Sequence, residues 1–243
     1  MPASPPSPPA RASWKLHDGR AELLAAAPLA GGVHVDLAHP GDGLSTGRGD
    51  RLLGLDLDPD RSGGRRPPLD AWVRCDDLTA TWETGGQRGL RATALWRRCD
   101  AGADASAWEL VASATTAKLH ADSTLAVVSD VAATTVLSSA WHDGRPTTFD
   151  AGADRPGRGL LLVRRGDGTS CLVMLHPLEH QTVTVDLADG RARIACWLFA
   201  SGVEKGVLLR SRVLAAVGPA EGDLVWAGKL AAAFAALPPE LAT

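Results

Sequence analysis

Between Leu69 and Val217 apolar and polar side chains alternate with a period of two, and that alternation restricts the chain to β-sheet. Leu78, Ala80 and Trp82 alternate with Thr79, Thr81 and Glu83, and Leu90, Ala92, Ala94 and Trp96 alternate with Arg91, Thr93 and Arg97. The same pattern predicts strands over 108–120, 124–129, 134–141, 159–165, 169–176, 180–187, 191–199 and 206–217. Tight-turn pairs such as Asp143-Gly144 and Asp189-Gly190 separate several of them. No helical pattern intervenes, so the expected topology is an antiparallel meander. About ten strands are too many for one compact sheet, which makes the fold an all-β antiparallel β-sandwich. The C-terminal stretch is the exception. Asp223 is placed to cap a short helix that reaches Leu237 and stops at Pro238-Pro239, with Leu230, Phe234 and Leu237 at helical spacing. Its expected task is to cover a sheet edge or an end of the sandwich.

The 243 residues suffice for a single sandwich domain over 13–243, preceded by a proline-rich segment, 1–12, expected to be disordered. Residues 41–51 and 58–69, rich in Gly, Pro and Asp, read as loops. A hairpin centred on residues 85–88 places Glu83 opposite Arg91 and Cys75 across from Cys99, a spacing compatible with a disulfide. Against that bridge, no basic start followed by an apolar stretch marks a secretory signal, so a cytoplasmic location with reduced thiols is the expectation.

Composition narrows the partners. A formal charge of -3 provides no basic field for nucleic acid or anionic lipid. The longest stretches free of polar side chains, 23–33 and 230–239, fall short of the ~20 residues of a membrane span. The four cysteines stand apart, with no CxxC and no His at ligand spacing, so neither a metal nor a cofactor is expected. GxSxG, HExxH, Walker and EF-hand patterns are absent. With no Tyr in the chain, the eight Trp carry most of the aromatic bulk and read first as core residues.

What remains is polar residues sorted by strand parity. Arg210 and Arg212 share one face, and Glu204 continues that parity. Arg191, Arg193 and Trp197 share another, as do His180, Thr182, Thr184 and Asp186. A two-residue turn at Asp189-Gly190 pairs even numbers with odd ones and brings these last two sets onto one side of a sheet. His176 and His180 are four apart in LHPLEH, but Pro177 makes the segment a hairpin connection rather than a helical metal pair. Glu179 between them is a candidate for proton transfer with a histidine. The candidate substrate-binding residues are therefore His176, His180, Arg193, Trp197, Glu204, Arg210 and Arg212. Guanidinium and carboxylate groups bind hydroxyls in pairs, and Trp covers the apolar side of a pyranose, so the implied partner is carbohydrate. The competing reading is a solvated sheet face whose ion pairs contribute little.

Several segments, in order, resemble a bacterial protein group similar to galactose mutarotase-like proteins. They are DAWVRCDDLTATWE (70–83), ELVASATTAKLHADSTLAVVSDV (109–131), VMLHPLEH (173–180) and VEKGVLLRSRVLAAV (203–217), followed by the terminal helix ending in PPELAT. The resemblance implies a β-supersandwich whose large twisted sheets bind carbohydrate on a concave face. In aldose epimerases of that fold a Glu acts as base and a His as acid at the ring oxygen. This sequence does not display their catalytic motif, so neither role passes to Glu204, His176 or His180, which are only the residue types available. The resulting expectation is a carbohydrate-binding or sugar-modifying protein. The alternative is a non-catalytic structural or interaction β-sandwich.

Overall fold

A computed structural model describes residues 13–23, 32–59, 64–86, 88–102, 105–143, 145–151, 159–179 and 182–237, so the proline-rich start and His180 lie outside the described residues. Two antiparallel sheets pack face to face. From edge to edge, the first runs Trp14–His17, Arg20–Leu23, Val33–Asp36, Leu44–Thr46, Arg51–Asp56, Leu125–Ala132, Arg191–Leu198 and Thr182–Ala188. The second runs Asp150–Ala151, Thr135–Ser139, Leu160–Arg164, Thr169–Leu175, Leu209–Pro219, Ser106–Thr116, Leu90–Cys99, Asp77–Glu83 and Asp70–Arg74. The alternation places one side of each strand in a shared core, with Ala192, Ile194, Cys196 and Leu198 from the first sheet meeting Leu78, Ala80, Val213 and Ala215 from the second. The described helix is too short to cross a membrane.

The hairpin register is the expected one, with Glu83 opposite Arg91 and Leu78 opposite Trp96. The ladder ends at Asp77 and Arg97, and Cys75 lies beyond it in a turn with φ 55°, so Cys75 and Cys99 are both free thiols rather than a bridge. Burial pushes the Cys99 thiol up to about 12, with the Glu109 carboxylate adding to the shift. The stretch 41–51, expected to be loop, contains part of a 3-10 turn, Pro40–Asp42, and the strand Leu44–Thr46.

Tryptophan ties the two layers together. Trp82 and Trp96 are fully buried and meet edge to face at 6.1 Å. Their indole N–H groups reach from the second sheet to the Leu37 and Leu53 carbonyls of the other layer, each at 2.9 Å. A buried indole needs such an acceptor, and the two carbonyls supply it. A second tie is ionic: Arg165 pairs with Asp50, both sealed from solvent, and Asp50 also accepts the Ala132 N–H at 3.1 Å.

The helix, Asp223–Ala236, packs on the outer side of the second sheet. Ala227, Leu230, Ala231 and Phe234 cover Leu160, Leu162, Leu172, Met174, Leu214 and Ala216. At its start Asp223 is the first helical residue rather than the cap, because Gly222 takes the preceding position with φ 68°. Arg164 grips the Asp223 carboxylate at 2.8 and 2.9 Å, and Ser170 donates to it at 2.8 Å. Burial alone would raise the Asp223 carboxyl, and these partners outweigh it and hold the group below its ordinary value.

Candidate functional site

The outer side of the first sheet carries a groove whose floor and rim follow from register. Thr182 pairs with Trp197, Trp197 with Ala126, and Ala126 with Asp56, so these four form one row across the sheet. Thr184, Ala195, Val128 and Gly54 form the next, and Asp186, Arg193 and Asp130 the one after. All point away from the core, because their chain neighbours point into it. Ala126 and Val128 are nevertheless only 1% and 5% exposed. They are the apolar floor of a depression of about 240 Å³ rimmed by Pro59, Thr184, Asp186, Arg193 and Trp197. The Trp197 indole N–H donates to Thr184 Oγ1 at 3.0 Å, which fixes the ring while leaving it half-buried at the surface.

A second depression, of about 330 Å³, adjoins the first and shares Asp56 and Arg193 with it. One wall is the Pro40–Asp42 turn, which lies flat on the strand Arg51–Asp56 because residue 54 is glycine. A Cβ there would overlap the Gly41 carbonyl. The strand is also bulged at this point. Leu53 has φ 56°, the register shifts between Val128 and Asp130, and the Leu53 N–H donates to Ser129 Oγ at 3.1 Å. The opposite wall, formed by Leu57, Asp58, Gly64 and Arg66, is stapled by charge. Arg66 donates to Asp58 at 2.6 Å, and Arg88 donates to Asp58 at 3.1 Å and to the Leu57 and Thr124 carbonyls.

Two titratable groups stand out in this groove. Burial raises the Asp56 carboxyl above its ordinary value, against the opposing pull of the Asp58 N–H and Arg193. His39 is held by Asp36, with Nδ1 and Oδ2 3.1 Å apart. Burial would raise Asp36, but its bond to His39 and the Ala38 N–H lower it instead. An imidazole oriented through Nδ1 in this way presents Nε2 as its remaining polar atom.

Of the seven residues selected from the sequence, His180 lies outside the described residues and the other six divide among several places. Arg193 and Trp197 lie in the groove. His176 and Arg212 belong to the other sheet, beneath the helix. The His176 Nε2–H donates to the Leu237 carbonyl at 3.1 Å, and Arg212 reaches the same oxygen at 3.3 Å. Phe234 packs edge-on against His176 and under the Arg212 guanidinium, at 5.3 and 5.1 Å. Arg212 is only 3% exposed, so the side of its strand expected to be wet is covered there. Burial lowers the His176 imidazole, and Arg212 adds to the shift. These two side chains anchor a helix end whose carbonyls favour cations. Arg210, two residues before Arg212, is exposed. Glu204 is also exposed, opposite His120 in a two-residue ladder.

Glu179 has a structural partner as well. The strand Thr169–Leu175 ends one residue short of Arg212, leaving the Arg212 N–H without a ladder acceptor. Glu179 Oε1 accepts it at 2.9 Å, and Ser211 donates to Oε2. Burial pushes the Glu179 carboxyl up to about 7, and Glu109 adds to the shift.

Asp56, His39 and Arg66 were missed among the candidates because they fall in or next to segments read as loops. The signal for Asp56 was present in LGLDLDPD, where Leu55 and Leu57 alternate with Asp56 and Asp58. Among the described residues no three His, Cys, Asp or Glu side chains come together to hold a metal ion. The groove and the layers around it define an antiparallel β-sandwich with a polar, part-apolar cleft on one sheet. No protein-family model matches the chain, and no curated protein matches it in sequence.

Proposed function

We propose that the protein binds carbohydrate in the groove on the outer side of its first sheet. The observation that carries this reading is Trp197, pinned by Thr184 beside an apolar floor and ringed by Asp56, Asp186 and Arg193. A pyranose has an apolar side that stacks on an indole and a rim of hydroxyls that both donate and accept. Carboxylates take the donated protons and a guanidinium supplies two parallel donors, so the residue types around Trp197 suit both parts of a sugar. The resemblance to galactose mutarotase-like proteins points the same way. If the bound sugar is also modified, Asp56 and His39 are the groups with the chemistry for proton transfer, whereas His176 and Glu179 are committed to holding the chain.

A glycan array followed by titration of Trp fluorescence tests the reading, with polarimetry of aldose mutarotation as a separate readout. Binding is expected, and Trp197→Ala should weaken it about tenfold, the equivalent of ~1.4 kcal/mol of stacking and burial. Absence of binding to every glycan by the wild-type protein would overturn it.

A further inference from the structure

We infer that the groove takes an oligosaccharide of at least two sugar units rather than a single sugar, with one unit against Trp197 and the next in the depression lined by His39 and Arg66. The inference rests on the carbohydrate reading and deepens it. The two depressions measure about 240 and 330 Å³ and share Asp56 and Arg193, so they are successive parts of one trough. Each lies near or below the lower end, about 300 Å³, of pockets that enclose a drug-sized molecule, which leaves room for one ring apiece.

Unused hydrogen-bonding groups occur in both parts. Arg193 makes no hydrogen bond or ion pair among the described residues, although Asp186 and Asp130 flank it in register. Asp130 is instead taken by Arg191 at 2.7 Å. Arg66 spends Nη2 on Asp58, and its Nη1 is buried with no acceptor among the described residues. A buried N–H without a partner is costly until an acceptor arrives, and a hydroxyl of a second sugar supplies one. Asp56, at the junction, faces the region where two linked units meet. Each unit alone engages half of this set. Joining them makes the second contact intramolecular, so affinity rises with chain length without any new kind of contact.

Calorimetric titration of the full chain with glucose, galactose, cellotetraose and β-1,4-galactotetraose tests this. At least one tetrasaccharide should bind about tenfold or more tighter than its own monosaccharide. Gly64→Leu should remove most of that gain, because Gly64 lines the second depression and a Cβ there meets nothing within 4 Å, so the larger side chain is accommodated and narrows the depression. Equal affinity for a tetrasaccharide and its monosaccharide, or a gain that Gly64→Leu leaves intact, overturns the inference while the carbohydrate reading stands. Binding of none of the four by the wild-type protein also overturns the inference, and the carbohydrate reading falls with it only if the glycan array is blank as well.

Discussion

Glu179 illustrates how a residue type that suggests catalysis can be consumed by architecture. Its carboxylate sits where a strand stops one residue early, and it caps the Arg212 N–H that the ladder leaves without an acceptor. Because burial lifts its folded value from 4.5 to about 7, the folded state holds a proton there that the unfolded state has released. That contribution to stability is full below pH 4.5 and is lost as pH rises through about 7. Glu179→Gln keeps an acceptor for the Arg212 N–H and removes the titration. Urea denaturation of the variant and wild type should therefore show the variant gaining relative stability between pH 5 and pH 8, by up to about 3 kcal/mol. A constant difference across that range would show that the carboxyl does not titrate there. His176 works in the opposite sense. Its lowered value favours the neutral ring in the folded state, so its contribution is lost as pH falls below its ordinary 6.5. Nothing in LHPLEH distinguishes a buried anchor from a catalytic pair. That distinction came from where the helix docks, which the local sequence does not encode.

At the level of elements, period-two reading succeeded where strands are long and hairpin-linked. Asp186 lies opposite Arg193 and Glu83 opposite Arg91, as the turns at 189–190 and 85–88 require. Parity tells which residues share a side of a strand, but not to which sheet the strand belongs. Arg193 and Arg212 therefore looked like partners in one site and fold into different layers. The first five strands were illegible for another reason. They span three to six residues each, and the positive φ of Leu53 places Leu52, Leu53 and Leu55 all in the core, which erases the alternation. The glycine beside that bulge supplies an element-scale prediction. Gly54→Ala should displace the Pro40–Asp42 turn and cost about 1–3 kcal/mol, measured by chemical denaturation, with faster amide exchange in residues 40–43. A neutral substitution would mean that the turn does not rest on the strand.

Across the whole molecule, the layers are joined by a few polar ties set in a large apolar interior. Asp50 and Arg165 are 2% and 3% exposed at their side chains. Asp50→Ala leaves the buried guanidinium with only Thr169 and the more exposed Asp167, 3.3 Å away, and frees the Ala132 N–H, so a loss of about 2–3 kcal/mol is expected in denaturation experiments. A smaller loss would show that water reaches Arg165. Trp82 and Trp96 make equivalent cross-layer bonds without charge. In a chain with no Tyr, indoles are left to do this work, and composition alone had marked them as core.

The helix occupies the back of the sandwich and the trough opens on the front, with both layers between them. A dye or surface tether attached to the helix at Val225, which is exposed, therefore sits on the side opposite the trough, and protein immobilised there would present the trough to whatever flows past it.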